Sequence, residues 1–325
     1  MTSLNQTWLN RASLNRAYSR LSMRRRYEAW FLRFGLADGS GAWWFRYLLT
    51  NLGRGGCPGV PGAAPVQVWA TWFPREGQPE TYIEEFPLSV LNLGSVQGQP
   101  FLWEAGPNRI EEGGCRGAID VRGKQISWDL RHRSNFGITL SHKGWIGFSR
   151  TPHSDAVFSG EIRFGDRVFR GDPLGVGVQG HNCGFRHRNF WTWMHTCFTQ
   201  PDGSITTLEA LVYEMPLGLV FRKAILWHKG RVHVFRKLRE SCRDREGLRW
   251  SFRAASREGT MDVEVDGSGT SLHRLPYVKT DCSGTFEVSN NSRARAHLRL
   301  QLRDAAVPKE LATEDGSVLE MTGNY

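Results

Sequence analysis

The stretch FWTWMHTCFTQPDGSITTLEALVY, residues 190–213, divides its side chains into two sets around an Asp-Gly-Ser turn. At a period of two, Trp191, Trp193, His195 and Cys197 share one side, and Phe190, Thr192, Met194, Thr196 and Phe198 share the other. Neither side is polar enough to face water. A strand covered on both faces is expected, with one face on a barrel cavity and the other against a neighbouring layer. The earlier stretch YEAWFLRFGLADGSGAWWFRYLL, residues 27–49, has the same plan. Trp30 precedes Asp38 by eight residues, and Trp193 precedes Asp202 by nine. Two such starts at domain spacing predict a duplicated β unit.

The rest of the chain agrees. QISWDLRHR (125–133), TMDVEVDGSGTSL (260–272) and RAHLRLQL (295–302) alternate, and VFRKAILWHKGRVHVFRKL (220–238) reads as a hairpin turning at His228-Lys229-Gly230. The 36 glycines fall mostly between such runs, as in all-β sandwiches and barrels. The expected architecture is all-β: two antiparallel β-barrel or sandwich lobes in tandem after a short basic N-terminal segment. The expected divisions are 1–26, 27–172 and 173–325, with the lobe boundary in the Gly-rich stretch 171–180.

The chain has 325 residues, 40% of them hydrophobic, enough for two cored lobes. Thirteen tryptophans point to aromatic-lined pockets. Of the net charge of +10, six units come from Arg11, Arg16, Arg20, Arg24, Arg25 and Arg26, in a segment without acids. Such a segment can touch an anionic membrane surface peripherally, although residues 8–23 make no clean amphipathic helix. No apolar run is long enough to span a membrane or to form a secretory signal. The six cysteines are dispersed without a CxxC pair, so reduced thiols and a cytoplasmic protein are expected.

Residues 27–31, YEAWF, together with His181-Asn182-Cys183-Gly184 followed by Trp191 and Trp193, resemble the two signatures of the tocopherol cyclase and carotenoid 1,2-hydratase group. The resemblance implies two lipocalin-like barrels and a protein that binds or transforms an isoprenoid-like hydrophobic molecule. Two positions depart from the pattern: Cys183 stands where the group has tryptophan, and Gly180 where the hydratases often carry an acid. The shared layout therefore speaks to fold before reaction.

Protonating a C=C bond needs an acid in an apolar cavity and aromatic faces that tolerate positive charge. Glu28 shares a face with Trp30 and Leu32, where poor hydration is expected to raise its pKa. Glu28, His181 and Glu209 are the candidate catalytic residues. Trp30, Trp191, Trp193, His195, Tyr213 and Asn182 are the candidate substrate-binding residues. The spacing H-x-C-x3-H-x7-H-x-C does not match zinc knuckles, so no metal is expected. No phosphate loop, dinucleotide fingerprint or nucleophile elbow is found, and no cofactor is expected. The body lacks a compact basic motif, so nucleic acid is not an expected partner. The partner expected is a hydrophobic small molecule. The leading expectation is a cyclase, hydratase or isomerase working by acid–base chemistry. The alternative is a non-catalytic carrier of the same ligand.

Overall fold

The computed structural model describes residues 14–96, 99–142 and 146–323. It consists of two antiparallel sheets. The first, of 12 strands, runs in the order β4 (Glu80–Phe86), β3 (Val66–Pro74), β2 (Gly41–Thr50), β1 (Tyr27–Leu36), β12 (Arg167–Gly184), β11 (Gly147–Phe164), β9 (Lys124–Arg133), β8 (Gly114–Val121), β7 (Asn108–Glu111), β6 (Gln99–Ala105) and β5 (Leu91–Val96), with β10 (Ile138–His142) beside β11. The second, of 10 strands, runs in the order β16 (Arg231–Phe235), β15 (Val220–His228), β14 (Ile205–Glu214), β13 (Trp191–Thr199), β22 (Lys309–Thr322), β21 (Thr285–Leu302), β19 (Gly259–Asp266), β18 (Arg249–Ala255) and β17 (Lys237–Asp244), with β20 (His273–Val278) beside β21. The orders correspond: β1–β4 match β13–β16, the long pair β11 (Gly147–Phe164) and β12 (Arg167–Gly184) matches β21 (Thr285–Leu302) and β22 (Lys309–Thr322), and β10 matches β20. The expected duplication is thus present in the topology. Each sheet curls towards closure. In the first, the Asp120 amide on β8 (Gly114–Val121) donates to Glu84 Oε2 on β4 (Glu80–Phe86) at 3.2 Å. In the second, Arg222 on β15 (Val220–His228) approaches Glu240 on β17 (Lys237–Asp244) at 3.7 Å.

The expected lobe boundary at 172/173 falls inside β12, which stays in the first sheet as far as Gly184. The glycines there are not a linker. Gly175 and Gly177 lie flush against β1 (Tyr27–Leu36), where a β-carbon would meet the carbonyls of Gly35 and Arg33 at 2.2 and 1.9 Å. The described part of the N-terminal segment is not a free tail either. Asn15 and Ser19 are buried in the first lobe. The Asn15 side chain donates to Glu112 and accepts from Gln179, while its carbonyl accepts the Trp30 indole N–H. Arg16, Arg20 and Arg24 remain exposed, and Arg11 lies outside the described residues.

Alternation assigns the faces. On β1, Trp30, Leu32, Phe34 and Leu36 fill the interior of the first barrel. On β13 (Trp191–Thr199), Met194 and Phe198 fill the second. The opposite faces, with Ala29 and Phe31 on one lobe and Trp193 and Val318 on the other, pack together as a third core in the seam between lobes. Arg33 fastens that seam. It is fully buried, and its guanidinium donates to the carbonyls of Ser292, Asp315, Gly316 and Ser317, with one bond to each at 2.9–3.0 Å and a second to Ser292.

Cys57 and Cys282 form a disulfide between the lobes across 225 residues of sequence, which departs from the expectation of reduced thiols. Such bonds persist in oxidising compartments. Dispersal along the chain hid the pair, because its two loops meet only when the lobes dock. Closing so long a loop restrains the unfolded chain, so Cys57→Ser is expected to destabilise by roughly 2–4 kcal/mol. Thermal unfolding of wild type and variant, each with and without reductant, checks this. Equal midpoints in all four samples would contradict it. No helix among the described residues is long and apolar enough to cross a membrane.

Candidate functional site

A partly open pocket of about 140 Å³ lies in the seam. That is the scale of a cavity holding one aromatic ring. The first lobe contributes Tyr27, Ala29 and Phe31 from β1, Trp44 and Arg46 from β2 (Gly41–Thr50), and Asn182 from β12. The second contributes Trp191 and Trp193 from β13, Tyr213 from β14 (Ile205–Glu214), Tyr277 from β20 (His273–Val278) and Glu320 from β22. The pocket therefore lies outside both barrels, where their outer faces meet.

Glycines shape the wall from behind. A β-carbon at Gly180 would sit 2.1 Å from the Phe31 ring, and one at Gly184 would sit 2.8 Å from the Tyr27 ring. The departure at Gly180 thus has a steric reason: an acidic side chain there would displace Phe31 from the pocket wall.

Glu320 is the pocket's carboxyl. It stands opposite Trp193 in the strand register and accepts the Trp191 indole N–H at 2.8 Å. Its other oxygen accepts from the Tyr277 hydroxyl and the Asn290 amide, both at 3.3 Å. Burial pushes its pKa up, against the opposing pull of the Trp191 bond, the Arg46 charge and the other two donors. Beside it, burial drives the Tyr27 phenol up to about 12. His187 stacks on Tyr27 at 3.9 Å, and neither ring nitrogen has a partner. Burial, helped by the Arg46 charge, pulls the His187 pKa down to about 3, so the ring is neutral at ordinary pH. The pocket thus holds a carboxyl of raised pKa beside a neutral imidazole and several ring faces. These are the parts needed to deliver a proton to an apolar ligand.

The candidates chosen from sequence fall into three places. Trp191, Trp193, Tyr213 and Asn182 line the pocket. Tyr213 shares a 2.7 Å hydrogen bond with Ser141, and Asn182 Oδ1 has no partner. Glu209 and His195 lie in the seam but do not line the pocket. Glu209 Oε1 accepts from Trp193 Nε1 and Thr151 Oγ1, both at 2.8 Å, and burial raises its pKa to about 7. His195 Nε2 donates to the Ser154 carbonyl at 2.7 Å, and burial lowers its pKa to about 3.

Glu28, Trp30 and His181 come together elsewhere, inside the first barrel. His181 Nε2 lies 2.7 Å from Glu28 Oε1, its Nδ1 lies 2.6 Å from the Leu14 carbonyl, and its ring stacks on Trp30 at 4.5 Å. The Tyr18 and Ser19 amides also donate to Glu28. The raised pKa expected at Glu28 is not what the structure gives. Burial does press its pKa upward, but the bond and charge of His181, with the two amides, outweigh burial and hold the carboxyl below its ordinary value. Phe148 separates this cluster from the pocket, lining the one and setting its ring edge against His181 at 4.8 Å.

Sequence reading missed Glu320, Arg46, Tyr27, His187 and Tyr277. One signal was available at Glu320: a lone acid in the apolar run SVLEM, on the side of its strand that also carries Val318.

No family model matches the chain, and no curated protein matches it. Solved structures do. The crystal structure of CghA matches with a TM-score of 0.62 at 13% identity, covering 93% of this chain and 89% of that one. Kievitone hydratase from Nectria haematococca matches at 0.56 with 9% identity, covering 96% and 94%. A putative AttH from Nitrosomonas europaea matches at 0.51 with 11% identity, covering 94% of each. Over nearly its whole length the chain therefore shares the two-lobed, lipocalin-like all-β fold of these proteins.

Proposed function

We propose that this protein is an enzyme of the hydratase, cyclase or isomerase kind, acting on a hydrophobic small molecule bound in the seam pocket by acid–base chemistry. The observation that carries the reading is Glu320, a carboxyl of raised pKa hydrogen-bonded to Trp191 on an aromatic pocket wall. In its protonated form Glu320 delivers a proton to the ligand, and the carboxylate left behind takes one back when water adds or a neighbouring C–H bond is lost. His187 and Asn182 orient the ligand or the attacking water. The hydratase among the structural relatives is consistent with this chemistry.

A second reading has its own support. Both oxygens of Glu320 are already hydrogen-bonded, as in a carboxyl kept for structure. The protein would then carry its ligand unchanged. Incubation of the purified protein with a panel of prenylated phenols and polyenes, followed by mass spectrometry, decides between them. The enzyme reading predicts an isomeric product or a product heavier by one water. Retention of an unaltered compound with no conversion across the panel would favour carriage.

A further inference from the structure

Arg46 lies in the pocket wall and is only 5% exposed. Its guanidinium lies 4.2 Å from the Tyr277 ring centre and 5.1 Å from that of Trp69. Among the described residues it forms no salt bridge. A buried arginine needs partners, because an unpaired charge away from water is costly; Arg33 finds them in four backbone carbonyls, whereas the Arg46 guanidinium has no hydrogen bond among the described residues. Among the described residues Glu320 is the one carboxyl in the pocket lining, and its oxygens are taken by Trp191, Tyr277 and Asn290. Two further arginines line the pocket: Arg186 is exposed, and Arg188 sits half-buried over the Tyr213 ring. Among the described lining residues, three cations against one carboxyl make a positive field that draws in anions.

We propose that the ligand is anionic: a ring-bearing apolar body whose enolate or phenolate oxygen, conjugated with the reacting double bond, pairs with Arg46. The proposal rests on the seam pocket being the ligand site and narrows what enters it. A pure hydrocarbon polyene gives Arg46 nothing to bind. A free carbocation would also be repelled by the fixed guanidinium. An oxyanion conjugated to the reacting double bond avoids both problems. The π pair takes the proton from Glu320 to form the new C–H bond, the oxygen lone pair closes a C=O bond, and Glu320 is left as carboxylate. The product is then a neutral carbonyl, with no free cation formed.

Two one-ring probes of nearly equal shape test the charge preference, benzoate standing in for the oxyanion and benzamide as its neutral counterpart, titrated against the whole chain while its tryptophan fluorescence is followed. Wild type is expected to bind the anion about tenfold or more tightly than the amide, a gap of about 1.4 kcal/mol or more. Arg46→Gln is expected to close the gap by weakening the anion alone, and Arg46→Lys to keep part of it. Equal binding of the two probes to wild type, or a gap that survives Arg46→Gln, would overturn the anionic assignment and leave the pocket reading standing. Failure of both probes, or binding indifferent to Trp191→Ala, would overturn the pocket reading as well. The wild-type comparison decides the matter even where Arg46→Gln fails to fold.

Discussion

Glu320→Gln is expected to lower kcat by about 10²–10⁴-fold, the usual contribution of a positioned general acid. The amide matches the carboxyl in size and can still accept the Trp191 indole N–H, so the fold should survive and the loss should be chemical. The pH profile gives a second readout. A proton donor works while protonated, and burial raises the pKa of Glu320 above the ordinary carboxyl value. Wild-type activity should therefore hold at pH below that raised pKa and fall as pH rises through it. The residual activity of Glu320→Gln should lack that fall. A variant with full activity, or an unchanged profile, would remove Glu320 from the chemistry.

Glu28→Ala is expected to destabilise the protein by about 3–5 kcal/mol, the scale for breaking a buried charged pair. The substitution leaves His181 and the Tyr18 and Ser19 amides without their acceptor, and it loosens the N-terminal segment from the first barrel. Glu28 also makes stability depend on pH. Its folded pKa is depressed below the unfolded value. Its contribution is thus fully present above the unfolded pKa and lost as pH falls through the folded one. Urea midpoints measured from neutral pH into the acid range should fall for wild type and change less for Glu28→Ala. A variant as stable as wild type that had lost its turnover would instead return Glu28 to the catalytic residues.

The contrast between these two carboxyls shows how far the sequence could be read. Alternation and the repeated Asp-Gly-Ser turn were enough for an all-β, two-lobed fold, because period-two patterning is local. They also placed Trp191 and Trp193 on one face with His195. What alternation does not state is which face looks into a barrel. The spacing of Trp30 eight residues before Asp38, against nine for Trp193 before Asp202, held that information. A shift of one residue moves a side chain to the other face of its strand. Trp30 accordingly points into the first barrel, while Trp193 points out into the seam. Grouping them as one cavity wall merged two sites. Glu320 escaped notice because it lies 129 residues from Trp191, its partner, and carries no motif. Glu28 drew notice through its motif, yet its surroundings stabilise the ionised form. The Cys57–Cys282 bond was hidden for a related reason, since only docking of the lobes brings its loops together.

A crystal structure of the protein with a bound ligand or retained product tests the central claim most directly. The account predicts density in the seam pocket, against the Trp191 and Trp193 side chains that line it, with a ligand atom about 3 Å from Glu320, within hydrogen-bond reach. Density inside the first barrel, against Glu28 and His181, with the seam pocket empty, would contradict it.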